Sequence, residues 1–294
     1  MATLRSLYLS VDLEGVCGVQ SARQLNPGPD DTAYQEAVSQ LVQETRMVLL
    51  TAADQGVEKV VINDAHCAMT NVTVWDFDDL PIDVRLISGK PKPLAMAAAL
   101  QSGLPFPVEA IGLLGYHTKA GTQGGTLAHT FHHDLADVRI NGKSYGEVGV
   151  NALYAGICHQ LPVVFVSGET RLEAEITEYL PSSQCSFVYT KEGLGFSVAC
   201  HRSLNDVFQD YESAMKQAVN LFKTGKAKPL SLKAPYSLEV QFVRPLFADT
   251  AMLLPGFSRL DGCTVGYQSD RFDTLYQALQ SGYTILSATQ ALQA

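Results

Sequence analysis

The sequence predicts an α/β fold: a mostly parallel, Rossmann-like sheet with helices on both faces, plus a smaller second α/β lobe. Three observations predict it. Short apolar runs at 7–11, 59–64, 109–114 and 162–167 read as buried strands. A long stretch of helical periodicity separates the first two, and strand–helix–strand in that order is a parallel βαβ unit. Turn chemistry punctuates the intervals.

"LYLSV" (7–11) is the first strand, and "PGPDD" (27–31) is a turn. A helix follows, because Tyr34, Ala37, Val38, Leu41, Val42, Thr45, Val48, Leu49 and Ala52 recur at helical spacing. Thr32 with Gln35 resembles a capping box, and Gly56 is a stop. "KVVIND" (59–64) is the second strand. Asn141-Gly142 between two alternating runs predicts a β-hairpin. Helices are expected over 147–158, 170–180, 204–223 and 271–281, with strands over 236–243 and 264–268 and a turn in "LPGFSRLDG" between them.

The chain has 294 residues, 46% of them hydrophobic, which suffices for a large core in two lobes. Its net charge of -9 argues against a general nucleic-acid or membrane-surface role, which needs a basic face. The N-terminus shows no signal-peptide pattern and no apolar run approaches a membrane span, so a cytoplasmic location is expected. Six scattered cysteines without a CxxC read as free thiols.

Three apolar strands run into metal-capable side chains. The first ends in Asp12 and Glu14, the second in Asp64 and His66, the third in His117. Ligands of open α/β sheets bind beyond the carboxyl ends of the strands, so these ends point to one shared site. Singly, each residue has a plain reading: a turn cap, a solvated acid, a core histidine. Jointly, the plain reading needs several coincidences. Asp64 is expected to orient His66 or a loop. Glu147 follows, entering a helix. Of the histidines in "TLAHTFHHD", His132 and His133 are taken as exposed loop residues, while His129 is open to either reading.

Imidazole with carboxylate suits Zn²⁺ or its first-row neighbours. Asp12, Glu14 and Glu147 with neutral His66 and His117 would leave a net charge of about +1 against two divalent ions. Asp12, between strand end and turn, is the expected bridge.

The blocks "SVDLEGVCGV", "VVINDAHCAMTN", "LISGKPKPLAM", "LGYHTKAG", "LAH" (127–129), "INGKSYGEVGVNALYAG" and "LPGFSRLDGCTVGY" resemble the M55 peptidase family, over nearly the whole chain. The ordered series D-x-E-G, N-D-x-H, G-Y-H and N-G-x-x-x-G-E-x-G carries the resemblance. It implies a metal-dependent aminopeptidase with two zinc ions per subunit, acting on short peptides such as D-Ala-D-Ala. It puts the metal ligands on Asp12, Glu14, His66, His117 and Glu147, and the catalytic histidine on His129. It implies assembly into a multi-subunit ring. Residues 1–182 are then the Rossmann-like, metal-binding catalytic domain and 183–294 a smaller α+β domain, with interleaving of the two allowed. Glu169 and Thr170 stand where the family leads one to expect an Asp pair. Lys119 is the candidate for a substrate carboxylate, set against a plain solvated lysine.

Two other functions use similar residues. A two-metal phosphoesterase would want Arg or Lys on the phosphate, and only Lys119, Lys90 and Lys92 lie near the motifs. A non-enzymatic metal- or peptide-binding protein would favour a closed, often Cys-containing site.

Overall fold

The computed structural model describes residues 3–28 and 31–291. Pro29 and Asp30 of the expected 27–31 turn lie outside the described residues.

β1 (Ser6–Val11) lies inside the larger sheet. It pairs in parallel with β2 (Lys59–Asp64) on one side and β4 (Ala110–Tyr116) on the other. β3 (Asp83–Ile87) lies beyond β2. β7 (Val163–Glu169) and β8 (Ser186–Gly195) lie beyond β4, also parallel, and β9 (Val198–His201) closes that edge antiparallel. The seven strands run in the order β3-β2-β1-β4-β7-β8-β9.

A parallel sheet is covered on both faces, so its central strands must be apolar on both. Alternation divides β1 accordingly. Leu7, Leu9 and Val11 enter the core beneath α1 (Thr32–Asp54) and α4 (Leu204–Lys223), while Tyr8 enters the core on the opposite face. α1 buries Tyr34, Ala37, Leu41, Val48, Leu49 and Ala52, the stripe its periodicity predicts, and Gly56 follows its end at φ +90°. The helix start differs from expectation. Asp31, not Thr32, is the N-cap, and Gln35 donates to Asp31 Oδ2 at 3.3 Å.

The second sheet is antiparallel. β5 (Leu135–Ile140) and β6 (Lys143–Ser144) form the hairpin at Asn141-Gly142, both at positive φ. β10 (Tyr236–Phe242) pairs with β5, β12 (Thr264–Ser269) with β10, and β11 (Ser258–Arg259) with β12. α2 (Glu147–His159) packs on β4 and β7 of the larger sheet, α6 (Phe272–Ala291) packs on β10 and β12, and the two helices pack on each other.

Strand membership does not follow a cut at 182/183. Segment 186–201 and α4 belong with the larger sheet, whereas 135–144 pairs into the smaller. A strand goes where its hydrogen-bonding partner lies, and the partner of β5 is far along the chain.

Other elements differ from the sequence reading. β3, β8, β9 and α5 (Pro245–Ala251) were not anticipated. α3 (Thr170–Ile176) is shorter than the expected 170–180, and α6 runs on past 281 because Leu286 is buried beyond Gly282. All six cysteines are free thiols. No helix among the described residues is long and apolar enough to cross a membrane.

Candidate metal centre

The turns after β1 and β4 meet backbone to backbone. Asp12 N–H donates to Leu114 O at 2.8 Å and Gly15 N–H to Gly115 O at 2.7 Å. A Cβ on Gly15 would fall 1.9 Å from Tyr116 O, so only glycine fits there. A Cβ on Gly115, at φ +74°, would likewise fall 2.2 Å from Asp12 O. This contact sets the D-x-E-G turn beside the G-Y-H turn, and so brings Asp12 and Glu14 beside His117.

A buried lysine holds the first turn from below. Lys191, on β8, donates to the carbonyls of Glu14, Val16 and Val19. Burial pulls its pKa down to about 8, against the opposing pull of Glu169 and Glu44. Next to it, Thr190 Oγ1 donates to Gly15 O at 2.5 Å, and Cys17 N–H donates to Glu44 Oε1 at 2.9 Å.

Five side chains converge above this platform, each at most 4% exposed. His66 Nδ1 lies 3.2 Å from Asp12 Oδ1 and 3.0 Å from Glu14 Oε2. His117 Nε2 lies 3.6 Å from Asp12 Oδ2 and 3.4 Å from Glu147 Oε1. Three sets of three residues have the spacing of a cation site: Asp12, Glu14 and His66; Asp12, His117 and Glu147; Glu14, His117 and His129. Asp12 belongs to two of them through different oxygens.

The other ring nitrogens explain the arrangement. His66 Nε2–H donates to Leu25 O at 2.7 Å, His117 Nδ1–H to Thr118 O at 3.0 Å, and His129 Nδ1–H to Leu127 O at 2.9 Å. Each backbone carbonyl fixes the tautomer and turns the opposite nitrogen toward carboxylate oxygens. In a neutral ring that nitrogen is an acceptor. Acceptors therefore face acceptors at hydrogen-bonding range. Asp12 Oδ2, His117 Nε2 and Glu147 Oε2 are all buried and have no hydrogen-bond partner among the described residues. Buried charges and polar atoms of this kind require a counter-charge.

The ionisation balance shows the same demand. Burial, then the charge of Glu14, pushes the Asp12 carboxyl up to about 7. Burial alone would lower His66 and His117. The charge of Glu14 overcomes this for His66, raising it well above the imidazole range, and that of Glu147 raises His117 to about 10. Without another cation the cluster takes up protons. His129 goes the other way: burial, then His117, pulls it down to about 4. Its ring stacks on that of His117 at 4.0 Å, and its Nε2 is 3.8 Å from Glu147 Oε1.

The remaining candidates fall elsewhere. Asp64 lies under the loop rather than at the cluster: it accepts from Asn71 N–H at 2.5 Å and Val72 N–H at 3.1 Å, while Asn71 Nδ2 holds His66 O at 2.8 Å. Lys119 points away from the cluster. Its ammonium donates to Ser144 Oγ at 2.8 Å, and it does not line the cavity over the cluster. His132 and His133, expected in an exposed loop, do line that cavity, and the His133 ring lies 4.7 Å from that of His129. Glu169, in place of the expected Asp, accepts from Thr118 Oγ1 at 3.1 Å and Thr126 N–H at 3.0 Å, fixing both ends of the Gly-Thr loop that leads to His129. Lys191 and the carbonyl of Leu25 were missed. Their roles depend on contacts between distant segments, and no local pattern marks them.

The cavity over the cluster has a volume of about 950 Å³. Asp12, Glu14, His66, His129 and Glu147 are part of its lining, and Leu94, Met96, Phe131 and Leu254 give it apolar walls. Among the described residues its lysines are Lys90 and Lys92, and no arginine lines it.

Fold and site together define a class: an α/β protein with a buried carboxylate–imidazole cluster, spaced as a cation site is, at the carboxyl edge of its parallel sheet and open to a substrate-sized cavity. The chain belongs to the M55 peptidase family, whose model, described as D-aminopeptidase, matches residues 6–281. It is 29% identical over 274 residues to a D-aminopeptidase of Bacillus subtilis (strain 168), covering 93% of this chain and 94% of that one. Among solved structures it resembles the Zn-dependent D-aminopeptidase DppA from Bacillus subtilis, described as a self-compartmentalizing protease. The TM-score is 0.84 at 28% identity, covering 95% of this chain and 97% of that one.

Proposed function

We propose that this chain is a zinc-dependent aminopeptidase with two ions per subunit, removing the N-terminal residue of short peptides of the D-Ala-D-Ala type. The observation that carries the reading is the orientation of the imidazoles: backbone carbonyls of Leu25 and Thr118 hold His66 and His117 with their acceptor nitrogens aimed at buried carboxylates. Asp12, Glu14 and His66 would hold one ion and Asp12, His117 and Glu147 the other, Asp12 being common to both sets. The donor set of carboxylate and imidazole fits zinc.

Zinc bound there would acidify a water toward a pKa of ~7 and polarise the scissile carbonyl. The protein's own part falls to His129. With Nδ1–H donated to Leu127 O and burial pulling its pKa down, His129 presents a neutral Nε2 as the atom open to a proton. It takes the proton of the attacking water and delivers it to the leaving amine. Glu147 is steadied for its role by the Phe131 N–H, 2.6 Å from Oε1. Asp64 sets the height of His66 through Asn71.

The catalytic unit is proposed to be the larger sheet with its helices and the loop that carries His117 and His129, drawn from 3–28, 31–133, α2 and 163–223, and the smaller lobe to be the second sheet with α5 and α6. A homo-oligomeric ring is proposed on the strength of the relative described as self-compartmentalizing. A cytoplasmic location remains the expected one. The test is to supply zinc and then D-Ala-D-Ala, L-Ala-L-Ala and p-nitrophenyl phosphate. Release of D-alanine supports the reading; cleavage of the phosphate ester alone contradicts it.

A further inference from the structure

A buried acid outside the cluster is tied to both ligand-bearing turns. Glu44, on α1, is fully buried and does not line the cavity over the cluster. Its Oε1 accepts from Cys17 N–H at 2.9 Å, in the turn that presents Asp12 and Glu14, and from Gln40 Nε2 at 3.1 Å. Its Oε2 lies 2.6 Å from the hydroxyl of Tyr211, on α4. A hydroxyl has one hydrogen, and the short contact to a carboxylate takes it. The Ser167 hydroxyl, 3.0 Å from that of Tyr211, therefore donates to it. Ser167, on β7, accepts in turn from Gly115 N–H at 2.9 Å. Gly115 lies two residues before His117, and its carbonyl takes the Gly15 N–H. The hydrogen bonds thus close a ring: from Glu44 through Tyr211, Ser167 and Gly115 to Gly15, then along the chain to Cys17 and back to Glu44. Tyr211 and Ser167 are as fully buried as Glu44.

We propose that Glu44 is a positioning residue for the metal centre: its one carboxylate sets the spacing between the turn of Asp12 and Glu14 and the turn of His117. The inference rests on the two-ion reading above. Oε1 acts on the first turn directly, and Oε2 acts on the second through Tyr211 and Ser167. Taking a carboxylate out of water is costly, and a charge kept where neither solvent nor substrate reaches it acts through the groups it binds. The ring needs an acceptor at both oxygens, which a carboxylate supplies. An amide accepts at one atom and donates at the other, so a glutamine there sets a donor against Cys17 N–H or against Tyr211. Groups that hold metal-ligating segments from behind are typically worth about 10–100-fold in metal affinity.

The experiment titrates metal-free protein with cobalt(II) and follows the d–d absorption, which reports the ligand geometry at each ion, in wild type, Tyr211→Phe, Ser167→Ala and Glu44→Gln. Tyr211→Phe and Ser167→Ala cut the path to Gly115 and leave Cys17 N–H on Glu44. Each is expected to weaken one of the two ions about tenfold, keep the other, and alter part of the spectrum. Glu44→Gln is expected to weaken both. Tyr211→Phe removes one oxygen and keeps the ring against Phe165, so the test stands even where Glu44→Gln fails to fold. The proposal is overturned if Tyr211→Phe and Ser167→Ala hold both ions within about twofold of wild type with an unchanged spectrum. It is overturned equally if they weaken both ions alike, as general loosening of the core would. A wild type that takes up fewer than two cobalt ions overturns the two-ion reading first, and this inference with it.

Discussion

His66 Nδ1 lies 3.2 Å from Asp12 Oδ1, and the far nitrogen of the same ring donates to Leu25 O. The ring cannot turn to satisfy the carboxylate without abandoning the carbonyl. A proton or a metal ion must stand between His66 and the two acids, and the same holds at His117. Asp12 faces both rings, one oxygen to each. Its loss should therefore affect both halves of the centre.

Asp12→Ala is expected to abolish the binding of both zinc ions, whereas Glu14→Ala should weaken one set more than the other. Zinc content after dialysis, measured for both variants, checks this. Retention of two ions by Asp12→Ala would remove the bridging role.

His129→Ala is expected to keep its zinc and lose about 10²–10⁴-fold in kcat. The carbonyl of Leu127 and the stacking on His117 place the ring, but Asp12, Glu14, His66, His117 and Glu147 supply the two ligand sets without it. Unchanged turnover at full zinc occupancy would exclude His129 from catalysis.

Zinc affinity should rise with pH. In the metal-free centre His117 is raised to about 10, so near neutrality it carries a proton that zinc must displace. Each displaced proton changes affinity about tenfold per pH unit. The same shift stabilises the metal-free fold below a pH of about 6.5, the unfolded value, and that contribution is lost as pH rises through about 10. Calorimetry in buffers of different ionisation enthalpy counts the protons released. An affinity that is flat from about pH 6 to about pH 8 would contradict the sign.

Much of the centre is legible in the sequence because strands buried on both faces are near-continuous apolar runs, and an acid at the end of such a run stands out. Asp12, Glu14, His66 and His117 all follow this rule. β3 escapes it: "DVRLI" is a half-buried strand with charges at Asp83 and Arg85. β8 escapes it too, since its buried Lys191 breaks the apolar pattern. The pairing of β5 with β10 is nonlocal, so no spacing announces it. Lys119 could not be placed from sequence, because proximity to His117 along the chain says nothing of side-chain direction.

Lys191→Met tests the platform under the first turn. It leaves the carbonyls of Glu14, Val16 and Val19 without their donor, and should cost about 2 kcal/mol of stability and about 10–100-fold in zinc affinity. Thermal melts and zinc titration report the two effects separately. An unaltered affinity would show that Glu14 is placed without it.

Gly15→Ala would press a methyl into Tyr116 O and the Gly115 backbone, neither of which can rotate away. A loss of about 3 kcal/mol or more is expected by denaturant unfolding. Wild-type stability would mean that the two turns do not meet as described.

The central claim is tested most directly by anomalous scattering at the zinc edge from crystals of zinc-loaded protein. Two peaks are predicted, one between Asp12, Glu14 and His66, the other between Asp12, His117 and Glu147. A single peak, or none within reach of Asp12, would contradict it.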